Sequence, residues 1–199
     1  RFCAVYIAAL GEKSSIWTDI GSGGGLPGIV IATLAQGEDQ QPNVTMVESD
    51  KRKSVFLRTA IRELGLLSAK VINERIESAQ IPISDIVSAR ALAPLTDLFM
   101  LSQGFSDQNT TFLFQKGKNW ASEIEIAQNH WSFEYDTIKS ETDSNAVLLK
   151  SGDFTCLTYG GKSAKSYFSN QSKGWCWKNN DHNKPWGSAC GTWETSFDY

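Results

Sequence analysis

A glycine-rich stretch near the start of the chain most constrains how it can fold. Residues 19–28 read DIGSGGGLPG, after the short apolar run 16–17 and before the helix-like run 29–35. Glycines are typical where the backbone turns sharply after a strand and lets a ligand approach closely. The helix that follows presents unpaired N–H groups to such a ligand. The pattern predicts a strand, a glycine loop and a helix, and taken alone it fits either a ligand loop or a tight structural turn.

An acidic residue farther along favours the ligand interpretation. Residues 44–47 predict a second strand, and Glu48 follows it directly. A carboxylate at the end of the second strand of a βαβ unit is placed to bind a ribose diol. The spacing fits nicotinamide dinucleotides and S-adenosylmethionine. The alternative is that Glu48 only neighbours a helix N-cap at Ser49 or Asp50.

The remaining chain alternates between predicted strands and helices. We expect helices at 50–64, from Pro94 onward and at 120–128, and strands at 69–73, 85–90, 111–115, 133–138 and 146–149. This alternation predicts an α/β fold with a doubly wound, mostly parallel sheet, in which the last two strands pair as antiparallel neighbours. Ligands on such sheets bind at the carboxyl ends of the strands. Six candidate residues fall at predicted strand ends and should share one rim: Gly21, Glu48, Ile76, Glu77, Arg90 and Lys116.

Composition places the chain among globular proteins. It has 199 residues, 41% hydrophobic and 21% charged, which suggests one domain with a sizeable core. The net charge of −3 argues against a general nucleic-acid binder but not against a local basic rim. No membrane span or signal peptide is visible, so we expect a cytoplasmic protein. The four cysteines lack metal-ligand spacing and no metal site is expected; they are Cys3, Cys156, Cys176 and Cys190.

Four motifs, in order and at matching intervals, resemble one known family. They are DIGSGGGLPG at 19–28, VESDKRK at 47–53, SARALAPL at 88–95 and QKGK at 115–118. Together they are similar to RsmG, also called GidB, a family that methylates N7 of one guanine in 16S ribosomal RNA with S-adenosylmethionine. The resemblance covers about residues 16–150. It implies a seven-stranded Rossmann-like methyltransferase sheet, the small ribosomal subunit as partner and a monomeric protein.

The resemblance also implies roles for individual residues. Arg90 and Lys116 are the candidate catalytic residues, and Lys116 and Lys118 would face the RNA. A structural salt bridge from Arg90 to Glu77 or Asp85 is the alternative for that arginine. The implied cofactor site consists of Asp19 below the methionine end, Gly21, Gly23 and Leu26 in the loop, Glu48 at the ribose, Ile76 and Glu77 beside the adenine, and Arg90 at the rim.

The implied chemistry needs little acid–base machinery. Guanine N7 carries an exposed lone pair and the sulfonium methyl is already activated, so catalysis can rest on proximity and alignment. The only histidines, His130 and His182, are not at predicted strand ends. Arg90 can bond guanine O6 or a phosphate through its planar fork.

The two ends of the chain differ from the family pattern. Residues 1–15 are interpreted as a remnant of an N-terminal helical segment, 16–150 as the methyltransferase domain and 151–199 as a tail. Four of the seven tryptophans lie in the last 25 residues. Read one base later, permitted codons for 173–187 give KGGVGKTTTTINLG, which resembles the opening of a chromosome-partitioning ATPase. We therefore hypothesise an out-of-frame tail, poorly packed beyond about residue 151 and without any site.

Two other functions remain open at this stage. The glycine loop and Glu48 also fit a nicotinamide-dependent oxidoreductase. The differences at the two ends of the chain also fit a non-catalytic RNA- or protein-binding fragment.

Overall fold

Seven strands form a single sheet in the computed structural model, which describes residues 16–36 and 42–157. The strands are β1 (Ile16–Ile20), β2 (Asn43–Val47), β3 (Ala69–Ile72), β4 (Ile86–Arg90), β5 (Thr111–Lys116), β6 (Trp131–Lys139) and β7 (Val147–Cys156). Their order is β3-β2-β1-β4-β5-β7-β6. The first five are parallel, while β7 runs antiparallel to both β5 and β6. The carboxyl ends of five strands therefore meet at one edge.

The connections between the strands carry four helices. They are α1 (Gly28–Leu34), α2 (Lys51–Glu63), α3 (Leu95–Ser102), continued by a 3₁₀ turn at Gln103–Phe105, and α4 (Trp120–Gln128). Asp50 is the N-cap of helix α2, because its carboxylate accepts hydrogen bonds from the backbone N–H groups of Arg52 and Lys53. No helix in the described ranges is long and apolar enough to cross a bilayer. Backbone contacts divide the chain at residues 163 and 164, and all described residues belong to the first unit.

The sheet has an apolar core on each face. Alternation along β5 shows why: Phe112 and Phe114 pack with Phe99 of α3, whereas Leu113 packs on the other face with Leu57 of α2. All five side chains are fully buried. Burying each contributes about 1.5–3 kcal/mol, so the two cores hold the helices against the sheet.

The predicted elements within the described residues are confirmed in type, and β1, β6 and β7 are longer than the sequence indicated. Strand β1 continues through Asp19 and Ile20, which the sequence analysis assigned to the loop. Strand β7 continues to Cys156, and Phe154 stacks on Phe99 with ring centroids 4.6 Å apart. The expectation of poor packing beyond about residue 151 is therefore wrong for residues 151–156. Residues 1–15 and 158–199, including the proposed out-of-frame segment, lie outside the described residues.

Candidate active site

The glycine turn, defined as residues 21–27, is tied to the end of β2. The N–H groups of Gly21 and Ser22 both donate to the carbonyl of Val47, at 2.9 and 3.2 Å. The N–H of Gly23 donates to Oε2 of Glu48 at 2.8 Å. The loop and the carboxylate that the sequence singled out are therefore in direct contact at the carboxyl edge.

Gly21 occupies a position that would be strained for any larger residue. Its φ of +64° lies in the left-handed region, which L side chains rarely adopt. A Cβ built there would lie 2.5 Å from Cδ1 of Leu92, in the β4–α3 loop. Leu92 therefore packs directly on the glycine turn and closes one side of it.

Glu48 is only 7% exposed, yet it keeps acceptor capacity. Its Oε2 accepts the Gly23 N–H, and its Oε1 accepts the N–H of Asp50 at 2.7 Å. Each oxygen of a carboxylate has two acceptor lone pairs, so each can still accept one hydroxyl. The geometry suits a ribose diol, while the bonds to Gly23 and Asp50 fix the orientation of the carboxylate.

Asp19 joins three elements beneath the turn. Its Oδ1 accepts from the hydroxyl of Ser88 on β4 at 2.7 Å, and its Oδ2 accepts from the N–H of Gly28 at the start of α1 at 3.2 Å. The indole N–H of Trp17 in turn donates to the Ser88 hydroxyl. Burial raises the pKa of Asp19 from 3.8 to about 6, although hydrogen bonds from Ser22, Ser88 and Gly28 oppose the shift.

This shift predicts a pH-dependent stability. The Asp19 carboxyl retains its proton up to about pH 6 in the folded protein but only to 3.8 in the unfolded chain. The folded state therefore binds more protons between these values, and the free energy of unfolding falls as pH rises through this window. The loss is about 3 kcal/mol. Urea unfolding of the wild type and of Asp19→Asn at several pH values measures it, because the asparagine variant lacks this contribution.

A matched control is Asp136→Asn, which alters an exposed carboxylate on β6. The free energy of unfolding of this variant should depend on pH as that of the wild type does. Equal pH dependence of unfolding in the wild type and Asp19→Asn would contradict the assignment to Asp19.

Three further residues of the predicted cofactor site lie in connecting segments. Leu26 is 47% exposed within the glycine turn. Ile76 and Glu77 lie in a turn after β3. Ile76 is half-buried against the core that contains Phe99, while the side chain of Glu77 is exposed. The hydrogen-bond partners of the Glu48 carboxylate in the described residues are Gly23 and Asp50, not Glu77. The roles of Leu26 in the cofactor loop and of Ile76 and Glu77 beside an adenine stay predictions.

Arg90 ends β4 at the same edge of the sheet. Its side chain is exposed, and among the described residues it forms no ion pair with Glu77 or Asp85. The salt-bridge alternative therefore finds no support in this structure. The guanidinium is available to a ligand at the rim.

The two lysines after β5 differ sharply. Lys116 is 8% exposed, and its Nζ donates to the carbonyl of Ala93 at 2.7 Å and pairs with Oε2 of Glu123 at 2.6 Å. The ammonium therefore points inward and is already paired, which does not favour the expectation that it faces RNA and acts directly on the substrate. Lys118 is exposed, and RNA contact by it stays a prediction.

The sequence analysis missed three residues at the site: Ser88, which bonds to Asp19; Leu92, which packs on Gly21; and Glu123, which pairs with Lys116. Of these three, only the contact of Glu123 could have been predicted from the sequence. An acidic residue in the first turn of the helix after β5 is placed to pair with a lysine at the end of that strand.

Sequence comparison decides the family. The profile described as "GidB: rRNA small subunit methyltransferase G" matches residues 3–147, well over half of the chain. The chain belongs to this family. A family relative from Ruegeria sp., named ribosomal RNA small subunit methyltransferase G, is 48% identical over 138 residues, which are 69% of this chain and 67% of that protein. A relative of the same name from Cereibacter sphaeroides is 47% identical over 141 residues, which are 71% of this chain and 68% of that protein.

Solved structures agree on the fold. A ribosomal protein methylase from Lactobacillus delbrueckii has a TM-score of 0.59 at 14% identity, covering 77% of this chain and 76% of that one. An O-methyltransferase from Bacillus cereus, solved in complex with SAH, has a TM-score of 0.56 at 12% identity, with coverages of 76% and 80%. The predicted Rossmann-like methyltransferase sheet and the predicted GidB membership are both confirmed.

Proposed function

We propose that this chain transfers the methyl group of S-adenosylmethionine to N7 of a guanine in 16S ribosomal RNA. The observation that carries the proposal is the match of residues 3–147 to the GidB family. One relative named ribosomal RNA small subunit methyltransferase G is 48% identical over 138 residues. The nicotinamide-dependent alternative has no comparable support, because the glycine turn and Glu48 occur here within a methyltransferase family.

The residues at the carboxyl edge fit an adenosyl group. A Cβ added at Gly24 would meet no atom within 4 Å, so the outer side of the glycine turn is open. Glu48 lies against that turn with an unused lone pair on each oxygen. Glu48 would hold the ribose hydroxyls, and Gly21, Gly23 and Leu26 would line the loop. Asp19 keeps the start of α1 in place beneath them.

Bound S-adenosylmethionine would supply a methyl group on a positively charged sulfur. The protein's task is then alignment, since guanine N7 attacks through its own lone pair and no side chain has to remove a proton. Arg90 is the candidate to hold the target, because its exposed planar fork can donate to guanine O6 or to a phosphate and leaves the lone pair of N7 free to attack.

The proposed partner is the small ribosomal subunit, with the target base unstacked to reach the methyl group. Lys118 is exposed just after β5 and would contact the RNA backbone. We expect the protein to act as a monomer in the cytoplasm.

Methylation of subunits that lack the modification tests this function. The protein is incubated with such 30S subunits and S-adenosylmethionine carrying a labelled methyl group, and the modified base is mapped by mass spectrometry. We expect about one labelled methyl per subunit, at N7 of a guanine in the 16S RNA.

Three outcomes are distinguished by adding a calorimetric titration with S-adenosylmethionine. Label at another atom or on another RNA contradicts the proposed substrate. Cofactor binding without methylation favours the inactive-fragment alternative. Tight NAD binding without S-adenosylmethionine binding contradicts the methyltransferase assignment itself.

A further inference from the structure

An ion pair between a buried ammonium and a partly exposed carboxylate lies beside the loop that joins β4 to α3. We call it the Lys116–Glu123 bridge. Lys116 ends β5 and Glu123 lies in the first turn of α4. The ammonium of Lys116 donates to the carbonyl of Ala93, and Oε2 of Glu123 accepts the N–H of Leu95 at 3.0 Å. The bridge thus holds two backbone groups of that loop through both of its charged partners.

The loop that the bridge holds has an unusual backbone. Ala91 has a φ of +50° and is the only non-glycine residue with a positive φ in the described ranges. An alanine in the left-handed region is strained, and such a conformation persists only where the surroundings impose it. The bonds at Ala93 and Leu95 supply part of that constraint.

The same loop determines the geometry of the candidate active site. Arg90 immediately precedes Ala91, so the turn at Ala91 sets where β4 ends and where its arginine emerges. Leu92 follows and packs on Gly21 of the glycine turn. A shift of this loop would therefore move both a wall of the cofactor turn and the residue proposed to hold the guanine.

We propose that Lys116 and Glu123 are positioning residues for methyl transfer, which fix the β4–α3 loop rather than touch the substrate. The inference rests on the proposed function. The burial of the ammonium explains how a lysine of the QKGK motif serves the reaction without reaching RNA. Removing one partner of a buried pair leaves an uncompensated charge, so the effect of each single substitution also includes a loss of stability.

The test uses variants that preserve side-chain volume: Glu123→Gln, Lys116→Met and the double variant carrying both. We measure kcat and KM for 30S subunits, the Kd for S-adenosylmethionine and the thermal unfolding of each. Each single variant should lower kcat by about 10- to 100-fold, because small misplacements of reacting groups have effects of this size. The Kd for the cofactor and the KM for subunits should change by less than about threefold. The kcat of the double variant should be at least as high as that of the slower single variant.

Amide hydrogen exchange gives a readout that is independent of activity. The Leu95 amide should exchange faster in Glu123→Gln than in the wild type, because its acceptor is weakened. Glu125→Gln, two positions along the same helix and exposed, is the matched control and should match the wild type in every measurement.

Each contrary result has its own meaning. A rise in KM for subunits with unchanged kcat would show that Lys116 contacts RNA and would overturn the inference. Wild-type kinetics in all three folded variants, or a loss of thermal stability alone, would also overturn it while leaving the proposed function standing. If the wild type itself fails to methylate 30S subunits, the proposed function and the inference fall together.

Discussion

Glu48→Ala is expected to weaken binding of S-adenosylmethionine by about 100-fold. A hydrogen bond to a charged acceptor contributes about 1.5–3 kcal/mol, and the carboxylate offers acceptors for both ribose hydroxyls. The substitution also releases the N–H groups of Gly23 and Asp50, which the carboxylate holds at 2.8 and 2.7 Å. The glycine turn would therefore lose its tie to the residues after β2. Isothermal titration of the purified variant with S-adenosylmethionine measures the change.

Two companion variants sharpen this result. Glu48→Gln keeps one acceptor oxygen but places an amide N–H₂ toward a backbone donor, so its affinity should fall between those of the wild type and alanine variant. Glu125→Ala removes an exposed carboxylate on α4 and should bind the cofactor as the wild type does. An affinity of Glu48→Ala within about threefold of the wild type would exclude the ribose-binding role.

Arg90→Ala is expected to lower kcat/KM for 30S subunits by about 10- to 100-fold, since a hydrogen bond from a charged donor to guanine O6 or to a phosphate contributes roughly 1.5–3 kcal/mol. The side chain is exposed and forms no ion pair among the described residues, so its removal should leave the free energy of unfolding nearly unchanged. Steady-state methylation with labelled cofactor, alongside urea unfolding, separates these two quantities.

A conservative substitution at Arg90 distinguishes contact with a phosphate from contact with the guanine base. Arg90→Lys keeps the charge but loses the planar fork, so activity should recover fully only if the arginine neutralises a phosphate as a point charge. Lys139→Ala removes an exposed cation from β6 and serves as the control with wild-type activity. Full activity of Arg90→Ala would show that the arginine has no direct part in the reaction.

The core of the cofactor site could be predicted because its signal is local. Residues 19–28 contain the end of β1, the turn and the start of α1 in one continuous run, and Glu48 ends the next strand. A parallel βαβ unit brings these ends together whatever the rest of the chain does. The contacts among Gly21, Gly23, Val47 and Glu48 follow from that geometry.

The missed residues depend on contacts between distant segments. Ser88 meets Asp19, and Leu92 meets Gly21, only because β4 pairs with β1 across a separation of about 70 positions in the chain. The order of the strands in the sheet determines that β4 pairs with β1, and the sequence of residues 86–92 alone does not predict this order. The orientation of the Lys116 side chain also could not be predicted from the sequence, because a lysine at a strand end can extend to solvent or fold back toward a carboxylate.

The end of the sheet was misjudged for a different reason. Gly152 and Asp153 are unfavourable strand residues, so β7 looked complete near residue 149. The structure continues the strand because Phe154 packs among Phe99, Phe112 and Trp131, at centroid distances of 4.6 to 5.2 Å. Tertiary packing there outweighs the local preference.

The place of β7 has a consequence for synthesis of the protein. Among the described residues it is the last strand to be made, yet it lies between β5 and β6 in the finished sheet. While the ribosome is still adding residues up to 156, the growing polypeptide carries an open backbone edge on β5 and uncovered aromatic rings. A polypeptide stopped at residue 150 would pair residues 147–150 with β5 but would leave residues 131–135 without their partners, and it would be prone to pair with other copies of itself through them.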